Sequence, residues 1–155
     1  MNGGRAFGRS ALIAAALVAA VYGMARVDLV LRARSAYLEG EKWSEWSRKP
    51  ELKKAHFDAE LAAREGELSR ELAKGRLDRA AYERKAGLAR FERDQAVAES
   101  SLKYAYVWYQ TAAELFSPPE NRWSVLARAK MAETRVLWKK ELDARKIPYQ
   151  DYMLE

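Results

Sequence analysis

Residues Ser101–Trp138, SLKYAYVWYQTAAELFSPPENRWSVLARAKMAETRVLW, decide how this chain is read. They hold Tyr104, Tyr106, Trp108, Tyr109, Phe116, Trp123 and Trp138, whereas residues 51–100 hold only Phe57, Tyr82 and Phe91. Leu102, Ala105, Tyr106, Tyr109, Ala112, Ala113 and Phe116 recur at steps of three and four, which is one face of an α-helix. Ser117-Pro118-Pro119 ends that helix, because proline has no amide donor and restrains the residue before it. Glu120 and Asn121 open a second helix that carries Trp123, Leu126, Ala127, Met131, Val136, Leu137 and Trp138 and runs to about Arg145, before Pro148. The stretch predicts two packed helices around a Pro-Pro turn. Their expected core is Ala105, Tyr109, Ala112, Phe116, Trp123, Leu126 and Ala127.

The rest of the chain is also helical in composition. Of 155 residues, 32% are charged, and only four prolines and eight glycines interrupt them. Val and Ile are sparse, and no segment alternates apolar and polar residues as a half-buried strand would. The fold class is all-α. Cysteine is absent, which excludes disulfides and thiolate metal sites.

Residues 51–100 carry eleven Lys/Arg and eleven Asp/Glu, so this segment is neutral and its charges read as a solvated face. In Glu51–Lys74, Leu52, Ala55, Ala59, Ala62, Leu68 and Leu72 form a thin apolar stripe. Gly75 fits a helix C-terminus and Asp78 the N-cap of the next helix, so Lys74–Leu77 reads as the tip of an antiparallel hairpin. A continuous helix through Gly75 is the rival, since glycine there costs only about 1 kcal/mol relative to alanine. A coiled coil is excluded, because Arg84 and Gln95 fall on the seam that runs from Leu77.

Toward the N-terminus, Ala11–Ala25 (ALIAAALVAAVYGMA) carries no charge and as a helix would span roughly 22 Å. Continuing to Leu31 supplies the 20 or so residues that a bilayer core needs. It includes Arg26 and Asp28 near the end, where Arg can snorkel and Asp28 can pair with Arg32. The chain is therefore divided into a basic start of cytoplasmic type (1–9), a transmembrane anchor (10–31), a connector (32–50), a helical domain (51–146) and a tail (147–155). Cleavage as a signal peptide near Ala25 is the alternative, and it would release a soluble secreted or periplasmic adaptor or chaperone. A buried helix of a soluble protein is a third reading. Ala11, Ala15, Ala19 and Gly23 form a small-residue stripe suited to helix pairing and self-association in the membrane, although seven alanines in fifteen residues make such a stripe common by chance. The N-terminal amine, Arg5 and Arg9 on one side balance Arg26, Arg32 and Arg34 on the other, so the positive-inside count is a tie. The likeness of the segment to an export signal favours a bacterial-type inner membrane, with the bulk of the chain on the periplasmic side.

In the connector, Gly40 is expected to break the helix and Pro50 to start the next one. Trp43 and Trp46 share a helical face. They either dock a partner or the membrane interface, or cover the end of the helical domain. The tail, IPYQDYMLE, is too apolar to float free and either packs back or docks into a partner. Trp43, Trp46, Tyr104, Trp108, Tyr149 and Tyr152 are the partner-binding candidates.

Catalytic chemistry is hard to find. His56 is the single histidine, Glu-x-x-His pairs are missing, and Gly3-Gly4 belongs to no phosphate loop. No enzyme activity, metal or cofactor is expected. Arg122, Arg128, Lys130, Arg135, Lys139 and Lys140 could face anionic lipid or nucleic acid, but Glu133, Glu141 and Asp143 dilute that patch. The expected partners are protein, possibly within a membrane complex, and membrane lipid, with nucleic acid disfavoured.

Two resemblances bear on this. Ala105, Tyr109 and Ala112, the prolines, and then Trp123-x-x-Leu126-Ala127 resemble a tetratricopeptide (TPR) array over residues 101–130: the second helix of one repeat running into the first of the next. The proline falls one position late and no second full repeat is visible. The resemblance implies a protein-binding scaffold without catalysis. The span ELAKGRLDRAAYERKAGL, residues 71–88, resembles the short C-terminal (SHOCT) domain pattern, which implies a helix-turn-helix. The resulting expectation is an N-terminal transmembrane helix, a charged helical hairpin and a TPR-like aromatic helix pair.

Overall fold

The computed structural model describes residues 3–154, with side chains from Leu12 onward. Met1, Asn2, Glu155 and the Ala11 side chain lie outside the described residues. The described chain is helical throughout, with no strand. Helix α1 spans Gly3–Arg48, α2 Pro50–Ala73, α3 Arg79–Ala98, α4 Ser101–Gln110 and α5 Arg122–Ala144. A π-helical turn, Thr111–Leu115, extends α4, and a 3₁₀ turn, Asp151–Leu154, closes the chain. Two compact units result. One contains Met1–Glu41 and Ala105–Glu155, and the other is Lys42–Tyr104. Residues 51–146, read from the sequence as one domain, are thus shared between both units, and the unit boundaries fall inside α1 and α4.

The expected break at Gly40 is absent, and α1 runs through it to Arg48. The glycine serves packing. A Cβ built there would lie 2.6 Å from both Cδ1 and Cε1 of Tyr109, so only a glycine lets the ring approach this close. Burial along α1 begins with the half-buried Leu29 and Val30 and continues through Ala33, Ala36, Tyr37 and Gly40, a three-and-four stripe. From Leu12 to Asp28 the helix is bare.

In the first unit, α4 and its π turn bury Ala105, Tyr106, Tyr109, Ala112 and Ala113. Asn121 caps α5 through a capping box. Its side chain accepts from the backbone amides of Trp123 and Ser124, and Ser124 Oγ accepts from the Asn121 amide at 3.0 Å. The inward stripe of α5 is Ser124, Ala127, Thr134 and Trp138. Leu126, expected in the core, is instead 37% exposed. It sits one residue, or about 100° of helix, away from Ala127. Over the first part of that stripe the inward side chains, Ser124 and Ala127, are small, because the rings of Tyr37 and Tyr109 already occupy the space between the helices. Phe116 and Trp123, also expected in the core, are half-buried. The tail folds back on α5. Leu154 is buried, Lys139 Nζ meets Asp151 at 2.6 Å, and Arg135 donates to the Asp151 carbonyl at 3.2 Å.

The second unit is built on the α2–α3 hairpin, and the continuous-helix reading is overturned. Gly75 adopts φ +69°, a conformation that only glycine takes cheaply, and Asp78 caps α3 by accepting from Ala81 N at 2.6 Å. The packed face of α2 differs from the predicted one. Lys53, Phe57, Leu61, Glu65, Leu68 and Leu72 are buried or half-buried, while Ala55, Ala59 and Ala62 are exposed. The reason lies on α3, whose Ala86 and Ala89 are buried and accept the larger side chains of α2. Ion pairs flank this seam in antiparallel order: Arg93 with Asp58, Arg64 with Glu92 at 2.5 Å, and Arg90 with Glu65 at 2.7 Å. Being exposed or only half-buried, such pairs fix register more than they add stability.

The two glycine environments give opposite expectations. Gly40→Ala should lower the unfolding free energy by about 1–3 kcal/mol, the usual cost of overpacking. Gly66→Ala, at an exposed mid-helix position where a Cβ meets nothing within 4 Å, should raise it by about 1 kcal/mol. Urea unfolding, followed by tryptophan fluorescence, checks both. An unchanged midpoint for Gly40→Ala would contradict the close Tyr109 contact.

Candidate functional site

Each unit carries its own aromatic cluster. In the second unit, Trp43 stacks on Tyr104 with ring centroids 4.5 Å apart and meets Trp46 edge-on at 4.8 Å. Phe57 lies 6.4 Å from Trp43 and 5.9 Å from Trp46, and His56 lies 5.0 Å from Trp46. Offset and edge contacts of this kind contribute about 0.5–1.5 kcal/mol each beyond area burial. Trp46, a candidate partner-binding residue, is only 7% exposed and is a core residue here, and Trp43 is half-buried. The tryptophan pair therefore covers the end of the hairpin, the other role its spacing allowed.

Beside Trp43 sits Lys53, only 2% exposed. Its ammonium lies 5.4 Å from the Trp43 centroid and donates to the carbonyls of Glu99, at 2.6 Å, and Val97, at 3.2 Å. Those carbonyls belong to the end of α3, where the last turn leaves acceptors unsatisfied and the helix dipole favours a cation. A buried lysine is tolerated here because its ammonium donates to two carbonyls and lies over a π-face. Tyr104 donates its hydroxyl to the Glu99 carboxylate. That bond, helped by burial and by the Glu99 charge, raises the Tyr104 pKa.

Between these rings runs a shallow groove of about 420 Å³, lined by Trp43, Phe57, Phe91, Gln95, Glu99 and Tyr104. Phe91 is 60% exposed at its rim. A smaller groove of about 200 Å³ follows the hairpin past Phe57, Leu61, Arg64, Ala89, Glu92 and Arg93. Sequence reasoning did not single out Phe57, Phe91 or Lys53. The two phenylalanines were visible as rare aromatics in a charged segment, but one more lysine among eleven basic residues gave no signal.

The cluster of the first unit is centred on Tyr37, whose ring lies 5.8 Å from Tyr109 and 5.5 Å from Trp123. Tyr109 is fully buried and donates its hydroxyl to Glu41 at 2.5 Å. Burial, reinforced by the Glu41 carboxylate, raises the Tyr37 pKa. Tyr106 and Trp138 meet at 5.6 Å. Arg34 and Arg122 place guanidinium groups 5.7 and 5.6 Å from the Trp123 centroid. Among the remaining candidates, Trp108 and Tyr149 are half-buried and Tyr152 is 69% exposed. Ala15, Ala19 and Gly23 are exposed on the bare part of α1.

His56 is exposed and lies 3.2 Å from Glu60. Among the described residues no three His, Asp or Glu side chains converge as metal ligands would. The sequence matches no protein-family model, and no curated protein or solved structure matches it significantly.

Two substitutions examine the second unit. Lys53→Met leaves two helix-end carbonyls without their donor and should cost about 1–3 kcal/mol in urea unfolding. Hydrogen bonds from Lys54 and then Arg93 hold the Asp58 carboxyl below its ordinary range. Its stabilising effect is therefore complete above the unfolded-state pKa and is lost as pH falls through the lower folded-state pKa. Asp58→Asn should flatten the acid limb of the stability–pH curve by lowering stability at neutral pH, with the two proteins converging at low pH. An acid limb identical to that of the parent protein would remove Asp58 from that account.

Proposed function

We propose that this chain is a membrane-anchored, non-catalytic helical scaffold, held by α1 in a bacterial-type inner membrane and binding a protein partner on its periplasmic side. The carrying observation is the division of α1. Leu12, Ile13, Leu17, Val18, Val21, Tyr22, Met24, Val27 and Leu31 are 58–72% exposed, while the same helix continues into the core of the first unit. Its mean hydropathy, 1.8 in the most apolar window, and the roughly 30 Å length of Leu12–Leu31 suit a bilayer core. In lipid that bare surface becomes an asset, and every backbone group is already bonded within the helix. Partner binding is assigned to the Phe57–Phe91 groove and to the exposed Tyr152 and Met153 of the tail. The sequence likeness of α4 and α5 to a TPR helix pair supports the same scaffold role.

One observation favours a second reading. From Leu12 to Asp28 no residue is buried, so the packed stripe of α1 lies entirely beyond a cleavage near Ala25. A released, soluble adaptor would keep its fold.

Intact mass spectrometry of alkaline-washed membranes and of the soluble fraction distinguishes the two. Full-length mass confined to the washed membranes is the expected result, and a soluble species beginning near Arg26 would overturn the anchor. Because the chain has no native cysteine, a single Tyr152→Cys can report sidedness. Labelling by an impermeant maleimide in intact spheroplasts is expected, and labelling only after lysis would reverse the orientation.

A further inference from the structure

The membrane-facing edge of the first unit can be located from its own contacts. Tyr109 lies against Gly40, and Trp123 lies against Tyr37 and beneath Arg34. Further along α5, Trp138 meets Tyr106, which precedes Tyr109 on α4. Helix α4 therefore runs toward the N-terminal end of α1, and α5 runs back. At about 1.5 Å per residue, Leu115 lies roughly 9 Å beyond Tyr109, near the level of Arg34. The turn that joins the two helices, Phe116–Asn121, is thus the edge of the unit nearest the apolar run. Burial on α1 starts at Leu29 and Val30, close to the end of that run at Leu31.

The chemistry of this edge is specific. Leu115 is 70% exposed, Pro118 is exposed, and Phe116 and Trp123 are half-buried. Arg34 and Arg122 lie against Trp123, with Arg32 two residues before Arg34 on α1 and Arg128 six residues after Arg122 on α5. Asp28 neutralises Arg32 at 2.7 Å, and Glu120 neutralises Arg128 at 2.7 Å. Arg34 and Arg122 have no carboxylate partner among the described residues and instead lie over Trp123. A guanidinium held by an aromatic face keeps its in-plane N–H groups free, and those match phosphate oxygens in bidentate fashion. Tryptophan favours the water–lipid interface, and two prolines leave the turn with fewer amide donors to desolvate.

We propose that this edge is a binding site for anionic phospholipid, in which the Leu115–Pro119 turn rests among the headgroups and Arg34 and Arg122 hold a lipid phosphate. The proposal rests on the reading of α1 as a membrane anchor.

The test uses the full-length chain in phosphatidylcholine vesicles, with or without phosphatidylglycerol. Single cysteines replace Leu17 on the bare helix, Leu115 at the edge, or Val136, about 20 Å further along α5 than Trp123. Each carries an environment-sensitive dye, and shallow spin-labelled lipids of either headgroup act as quenchers. Quenching is expected at L17C and L115C and not at V136C. The L115C signal should prefer the phosphatidylglycerol quencher, and that preference should fall about fivefold for each of R34A and R122A. Both arginines are exposed, so unchanged urea midpoints would show that the variants fold. Quenching at L17C without quenching at L115C would overturn the lipid site and leave the anchor standing. No quenching at L17C would sink the anchor itself, and the lipid site with it. Equal quenching of L115C by both lipids, unaltered in R34A and R122A, would refute phosphate recognition. Loss of the phosphatidylglycerol preference in millimolar inorganic phosphate would make free phosphate the ligand. Protection of L115C only by a co-purifying protein would replace the bilayer with a protein partner.

Discussion

The contact of the Tyr109 ring with the backbone of Gly40 is the constraint on which the first unit depends. Tyr109 is the largest fully buried side chain, and its ring approaches Gly40 so closely that no Cβ fits between them. Its hydroxyl finds Glu41 one residue further along, so the polar tip of a buried ring is satisfied by the helix it packs on. Tyr37, on the same face of α1, then bridges Tyr109 to Trp123 and thereby seats the start of α5. Removing the glycine would disturb all three helices, because each ring is positioned by the one before it.

Helices and turns were legible because their signals are local. Pro50, Gly75, Asp78, Pro118-Pro119 and Asn121 each act through their own backbone chemistry, and the helices start or stop beside them. Gly40 carried the same letter as Gly75 and the opposite meaning. Gly75 takes a positive φ at a turn, whereas Gly40 stays helical and yields space to a ring 69 residues away in sequence. No local pattern encodes that partner. The misplacement of Leu126 has a related cause. Size and apolarity favoured it over its neighbours Ser124 and Ala127, yet beside Tyr37 and Tyr109 the inward positions of α5 hold small side chains.

The candidate surfaces were less legible than the fold. Trp43 and Trp46 stood out because tryptophan is conspicuous, but the structure spends them on a cluster over the end of the hairpin. At the rim of that cluster the exposed ring is Phe91, on the face of α3 left uncovered once Ala86 and Ala89 have turned inward. Lys53 shows the limit most clearly. In sequence it belongs to a neutral, highly charged segment where every lysine is expected in solvent. Buried, it ties α2 to the end of α3 through two carbonyls and a tryptophan face. Only the hairpin geometry turns that charge from a solubilising group into a fastening.

Helix α1 imposes one further condition on any account of this protein. Its bare half and its packed half belong to a single continuous helix without proline or a kinking glycine. Rotation or tilt of the apolar half is therefore transmitted to Ala33, Ala36 and Tyr37 as a rigid displacement, with no hinge to absorb it. A flexible tether would have left the first unit free to tumble beside a bilayer. A stiff helix fixes which edge of that unit faces the apolar run, and it does so with the residues that form the unit's core. The arginines and Trp123 at that edge consequently have a defined height along α1, which permits a chemical assignment to them and not to the equally basic but differently placed Lys139 and Lys140.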